Sequence, residues 1–268
     1  MTDPILKISS FSGGFAKETG DVTQILYDVS YALERGKLTA VVGETGSGKS
    51  VTALSVLGLH PPSFRHISGS ICFDGIDLTS VDARELHKLR GSRISMVFQD
   101  ARAALNPVFT IGRQLADTYR LHHGGSRRAA MEHAIEALRR VHIPEPERRA
   151  KQYPHEFSGG MAQRAMIAMA ALICTPDLLI LDEPTTGLDV TTQAEIMDLV
   201  LGLARERALT VCLITHDLGV VAETCDHVVV MNRGHVVETG STEQIFTAPQ
   251  NDYTQRLLAA SQLSEAAE

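Results

Sequence analysis

The chain has 268 residues, 44% of them hydrophobic, enough for a substantial core in one large domain or two closely joined ones. Its formal net charge of -7 argues against a surface built mainly for nucleic acid or anionic lipid, and no nucleic-acid partner is expected. The longest charge-free apolar stretch, Ala165 to Pro176, is too short to cross a bilayer, and the N-terminal MTDPILKISS has no long apolar run, so synthesis is expected to end in the cytoplasm.

The opening reads as an antiparallel β layer: Ile5 to Ile8 extended, a turn at Ser12-Gly13-Gly14, then Ile25 to Leu33 ending at Arg35-Gly36. Leu38 to Val42 is a short buried strand that runs into a glycine-rich loop, and the apolar segment from Lys49 predicts a helix. Strands at Gly69 to Phe73 and Arg93 to Phe98 flank a helix starting near Asp82, whose carboxylate is suited to cap it. From about Thr110 to Ala171 the pattern turns helical, with Met131, Ile135, Leu138 and Val141 at helix spacing and Pro144 and Pro146 interrupting. After Pro176 strands and helices alternate: strand Leu178 to Leu181, helix Thr191 to Arg205, strand Thr210 to Ile214, helix Leu218 to Cys225, and strands His227 to Met231 and His235 to Glu238. Such alternation predicts an α/β core with a largely parallel sheet, into which the helical stretch is inserted as a subdomain. The tail from Ser241, ending in LSEAAE, is expected to fray. Cys72, Cys174, Cys212 and Cys225 form no C-x-x-C pair and read as buried reduced thiols rather than zinc ligands or disulfides.

Gly43-Glu44-Thr45-Gly46-Ser47-Gly48-Lys49-Ser50 fits G-x-x-x-x-G-K-[ST] between a strand and a helix. In that pattern glycines turn backbone N–H groups inward around phosphates, Lys49 meets the β and γ phosphates of ATP, and Ser50 ligates Mg²⁺. A serine at position 51 would extend this cofactor-binding set by one hydroxyl; the chain has Val51 there, and no side-chain contact with nucleotide is expected from it. Leu178 to Leu181 followed by Asp182-Glu183 is a buried strand delivering two carboxylates to its C-terminal edge, Asp182 for Mg²⁺ and Glu183 to polarise the attacking water.

Phe157-Ser158-Gly159-Gly160-Met161-Ala162-Gln163 precedes this acidic strand at a spacing that resembles the ATP-binding cassette (ABC) ATPases, and the resemblance covers essentially the whole chain. It implies a P-loop NTPase, RecA-like core with an N-terminal antiparallel β subdomain and an inserted α-helical subdomain. Mapped onto this chain, 1–99 and 172–240 form the α/β core, 100–171 the helical subdomain and 241–268 a C-terminal tail of one nucleotide-binding domain. The resemblance also implies roles. Ser158, Gly159 and Gly160 face the γ-phosphate held by a second ATPase subunit, identical or homologous. Gln99 senses Mg²⁺, Asp189 communicates across the dimer, and His216, one of eleven histidines, contacts the γ-phosphate. Asp189 serves equally well, on local grounds, as a helix N-cap. The aromatic that stacks on adenine in the family is not evident; Val22 lies near the expected place, with Phe11, Phe15 and Tyr27 close in sequence.

Phe98-Gln99-Asp100, Leu105-Asn106-Pro107, Tyr153 to Phe157, Asp182 to Thr186, and Asp252-Tyr253-Thr254 with Leu257-Leu258 resemble the importer subgroup for oligopeptides, dipeptides and nickel. Longer members carry a C-terminal cysteine cluster for iron and sulfur; none is expected here, which leans towards shorter, nickel-type members. The implied partners are two integral membrane permease subunits at the cytoplasmic face of the inner membrane and, indirectly, an extracytoplasmic solute-binding protein. The alternative is an ATPase subunit of a cytoplasmic enzyme complex without transport.

Overall fold

A computed structural model describes residues 3–265, with side chains through residue 260. The chain divides into two units, Met1–His87 with Thr210–Glu268, and Lys88–Leu209. In the first, β1 (Leu6–Ala16) and β2 (Val22–Leu33) pair antiparallel, their inward residues Leu6, Ile8, Phe11, Leu26, Val29 and Leu33 all at 2% exposure or less. The turn expected at Ser12-Gly13-Gly14 is absent: these residues lie inside β1, where Gly13 and Gly14 pair with strands on both sides and Ser12 with Ser68 alone, across bulges. A Cβ on Gly13 would sit 2.4 Å from the Phe64 ring and one on Gly14 2.3 Å from the Thr23 carbonyl oxygen, so glycine marks close approach here, not reversal. Strand β3 (Leu38–Val42) is buried at every position and leads through the glycine loop into helix α1 (Lys49–Leu57). β4 (Phe64–Phe73) and β5 (Ile76–Asp77) complete a sheet of order β2-β1-β4-β5. Asp82 caps α2 (Ala83–Leu89), accepting from the N–H groups of Arg84 and Glu85 at 2.9 and 2.8 Å.

The second unit holds β6 (Ile94–Val97) and then helices: α3 (Ala101–Ala104), α4 (Ile111–His123), α5 (Arg127–Arg140), α6 (Pro146–Arg149) and, after a 3₁₀ turn at Pro154–Glu156, α7 (Gly159–Ile167). The buried stripe of α5 is Ala130, Ala134, Ala137 and Leu138, with Met131 and Ile135 only half-buried. It is rotated from the face that the large residues mark, because alanines let a neighbouring helix approach closely. Helix α7 runs into a π-helical segment, Ala168–Ile173, where the Cys174 N–H donates to the Met169 carbonyl 3.0 Å away. Strand β7 (Leu178–Asp182), buried throughout, pairs parallel with β6, and α8 (Val190–Arg207) closes the unit.

The chain then returns to the first unit with β8 (Thr210–Ile214), α9 (Leu218–Thr224), β9 (His227–Asn232) and β10 (His235–Ser241). β3 lies parallel between β8 and β9, while β9 and β10 form an antiparallel hairpin. The tail does not fray from Ser241: α10 (Thr242–Thr247) and α11 (Asp252–Glu265) follow. A reciprocal cap starts α10, with the Ser241 hydroxyl accepting from the Gln244 N–H and the Gln244 side chain from the Ser241 N–H. Residues 266–268, the end of the LSEAAE tail, lie outside the described residues.

All four cysteines are free, three of them buried. Burial pushes the Cys174 and Cys225 thiols up to about 11, which keeps them protonated and unreactive at neutral pH. Among the described residues no helix is long and apolar enough to cross a membrane.

Ser241→Ala removes half of the reciprocal cap and is expected to lower stability by about 1 kcal/mol, whereas Ser241→Asp, which keeps an acceptor, changes it little; thermal unfolding of the two variants beside the parent measures both.

Candidate functional site

The glycine loop is held from behind and open in front. Gly43 has φ +146, and a Cβ there would meet the Met231 carbonyl oxygen at 2.0 Å; Gly48, the N-cap of α1, has φ +102. No larger residue fits either conformation. The Ser47 carbonyl accepts the Gly234 N–H at 2.9 Å, tying the loop to the β9–β10 hairpin. Lys49, only 5% exposed, donates to the carbonyls of Gly43 and Glu44 at 2.7 and 3.0 Å. The buried ammonium is thereby fixed inside the loop. Glu44, Thr45 and Gly46 form the exposed crest.

Helix α1 starts with no side-chain cap and no acidic residue in its first turn, so its positive pole is left uncompensated. The buried Ser47 hydroxyl has no partner in the structure. An uncapped helix start, a fixed ammonium and an orphaned hydroxyl form a donor set that fits a phosphate group. The set of hydroxyls ends at Ser50. An extension to a serine at position 51 is corrected by Val51, a half-buried aliphatic residue in the first turn of α1 that has no side-chain donor to offer; its carbonyl accepts the Ser55 hydroxyl at 2.8 Å and serves the helix instead.

His216 is exposed and lies just beyond β8, next to Thr215, whose N–H reaches the Val41 carbonyl at 3.3 Å. Because β8 runs parallel to β3, His216 leaves this sheet at the same edge as the glycine loop.

In the second unit, β6 and β7 run parallel and end together, which brings Gln99 and Glu183 side by side. The Gln99 amide donates to Glu183 Oε2 at 3.1 Å, and the Thr186 hydroxyl donates to the same oxygen at 2.9 Å. Glu183 has φ +46, a conformation rare for a residue with a side chain and one that concentrates at functional sites. Asp182, the last residue of β7, is 7% exposed.

Ser158 caps α7, its hydroxyl accepting from the Met161 N–H at 3.2 Å. Gly160 lies against α8, where a Cβ would meet the Thr192 methyl at 2.7 Å. A cavity of about 440 Å³ is lined by Gln99, Arg102, Gly159, Gln163, Thr186 and Leu188.

Three contributors here have no role assigned from sequence. Thr186 is legible only as a hydroxyl three residues after Glu183; Arg102 donates to the Phe157 carbonyl at 2.6 Å; and Gln163, 3% exposed, has an unpartnered side-chain N–H₂. Of the aromatics near the N-terminal strands, Phe11 is buried and stacked on His66, Phe15 packs edge-on against Phe64, and Tyr27 stacks on His235. Val22 is 42% exposed.

Compared with known proteins, the family model described as ABC transporter matches residues 26–186, from within β2 to the turn after β7. The chain belongs to the ABC transporter family. This ABC chain is 49% identical over 238 residues to a Sinorhizobium fredii protein whose name describes the ATP-binding protein of a peptide ABC transporter, covering 88% of the chain and 71% of that relative. It is 48% identical over 261 residues to a Brucella melitensis protein named for peptide import and ATP binding, covering 95% of the chain and 77% of the relative. Among solved structures it resembles a dimeric ATP-binding cassette in a post-hydrolysis state bound to ADP and Pi, with TM-score 0.78, 27% identity, and coverage of 88% of the chain and 98% of the other. The fold is that of the P-loop NTPases, and the ABC chain is an ATP-binding, ATP-hydrolysing cassette.

Asp189 caps α8: its carboxylate accepts the Thr192 N–H at 3.0 Å and the Thr192 hydroxyl at 2.7 Å. These bonds, the backbone one first, hold the carboxyl below the usual aspartate range. A depressed carboxyl stabilises the fold above the unfolded-state value, near 4, and loses that contribution as pH falls through the folded-state value. Asp189→Ala is therefore expected to melt below the parent at pH 7, with the gap narrowing as pH drops through and below about 4; melting temperatures of both proteins between pH 7 and pH 3 check it.

Proposed function

We propose that this chain is the ATP-hydrolysing subunit of a membrane importer for peptides, and that it couples ATP-driven closure of two cassettes to transport. The observation that carries the ATP reading is the uncapped start of α1 beside the orphaned Ser47 hydroxyl and the fixed Lys49. The peptide assignment draws on the names of the two relatives; they lend nickel no support. The partners that follow are two integral membrane permease subunits, supplied with solute by an extracytoplasmic binding protein, with this chain peripheral at the cytoplasmic face of the inner membrane.

The roles of Gly43 to Ser50, Asp182 and Glu183 follow from their chemistry, and those of Gln99, His216, Asp189 and Ser158 to Gly160 from the family resemblance. Lys49 carries the charge that meets the β and γ phosphates, and the loop Gly43 to Ser50 supplies N–H groups around them. Ser50, Asp182 and Gln99 each carry a hard side-chain oxygen of the kind that would hold Mg²⁺, and the ion would supply positive charge against the phosphates. Glu183 orients and polarises the attacking water, held for that task by Gln99 and Thr186. His216 contacts the γ-phosphate. Ser158, Gly159 and Gly160, at the N-terminus of α7, meet the γ-phosphate bound by a second ATPase subunit, and Asp189 lies at that dimer contact. Efficient hydrolysis is then a property of the pair.

Glu183→Gln is expected to keep ATP binding while lowering turnover by roughly 10²–10⁴-fold; unchanged turnover would refute the assignment. Lys49→Ala is expected to abolish tight nucleotide binding, as read with a fluorescent ATP analogue. Purification from membranes decides between transport and a soluble complex: integral membrane subunits should accompany the chain, and exclusively soluble enzyme partners would overturn the importer reading.

A further inference from the structure

We infer that Tyr253, on the C-terminal helix α11, is a positioning residue for the phosphate loop: its hydroxyl accepts the backbone N–H of Glu44 and pins the loop at its second residue. The inference rests on reading Gly43 to Ser50 as the ATP cradle.

The bond spans 209 residues of sequence, 3.1 Å from Glu44 N to the Tyr253 oxygen. Tyr253 is 8% exposed, so the contact is sheltered from competing water. Its helix is firmly placed. The Glu238 carboxylate on β10 accepts the N–H groups of Gln250 and Asn251 at 2.7 and 3.1 Å, and the Asn251 side-chain oxygen accepts the Tyr253 N–H at 2.8 Å. A chain of hydrogen bonds thus runs from β10 through Asn251 and Tyr253 to the loop. On the other side the same β9–β10 hairpin holds the loop through Gly234 and Ser47. The C-terminal segment therefore grips the loop at Glu44 and the hairpin grips it at Ser47, while the exposed crest at Thr45 and Gly46 stays free to face a ligand.

The loop needs such anchors. With glycine at 43, 46 and 48 it has few constraints of its own, and every degree of freedom left in the free protein must be lost when phosphate binds. The hydroxyl removes part of that freedom in advance and touches none of the groups assigned to hydrolysis.

The test is Tyr253→Phe in the full chain, which keeps the ring and deletes the oxygen. Losing one net hydrogen bond predicts about three- to tenfold weaker binding of ATP and of ADP, measured by displacement of a fluorescent ATP analogue. The KM for ATP should rise by the same factor with kcat nearly unchanged, and amide exchange at Glu44 should accelerate. A purely structural tyrosine would lower the melting temperature and leave ATP affinity and Glu44 exchange alone, which would overturn the inference. Should the variant not fold, site-resolved exchange in the unmutated, nucleotide-free chain decides: a Glu44 amide slower than that of Thr45 supports the bond, and equal rates overturn it. Failure of the unmutated chain to bind ATP would refute the cradle itself, whereas ATP binding unaffected by Tyr253→Phe refutes only the role of Tyr253.

Discussion

Strand β3 is buried on both faces and leads through the glycine loop to a helix that begins without a side-chain cap. That junction constrains most of the first unit. A strand with no solvent face must lie between neighbours, and β8 and β9 flank it in parallel. Parallel order brings the C-terminal ends of adjacent strands to one edge, so His216 emerges beside the loop from a strand far away in sequence. The uncapped helix then leaves a concentration of N–H donors at that edge, which phosphate oxygens can satisfy.

The second unit repeats the device with different chemistry. β6 and β7 are short, buried and parallel; β7 ends in Asp182 and β6 ends two residues before Gln99, so both strands deliver polar residues to the same edge. The two donors from Gln99 and Thr186 converge on one carboxylate oxygen of Glu183 and leave the other outside that pair of bonds. Glu183 is the member of this group with left-handed backbone, an outlier maintained because the buried strand before it and the hydrogen-bonded turn after it over-determine its position. A side chain held in this way can orient a water molecule without first having to be ordered itself.

Glycine serves two opposite ends in this molecule, and only the surroundings tell them apart. At Gly13 and Gly14 it admits a neighbouring ring and carbonyl inside a continuous strand, whereas at Gly43 and Gly48 it permits the loop's backbone to turn. In sequence both are merely glycine-rich stretches between apolar runs, which is why a turn is the natural but mistaken expectation for the first pair. The displaced stripe on α5 has a similar origin: large residues dominate hydrophobic periodicity, yet small ones decide how closely helices pack.

By itself the sequence determined the alternation of strands and helices between Leu178 and Glu238, the glycine-rich loop between a strand and a helix, the acidic strand and the capping aspartates at 82 and 189. These are local properties, set by apolar periodicity, by residues that tolerate special backbone angles, and by side chains that bond to N–H groups a few positions away. Tertiary structure alone decided the rest: that 242–247 and 252–265 are helices docked on β10 rather than a loose tail, that Thr186 holds Glu183, and that Tyr253 reaches Glu44. Each of these depends on which surface a segment finds after the chain has folded. A hydroxyl 209 residues from its partner leaves no periodicity to read, because its contact is created by packing and not by spacing.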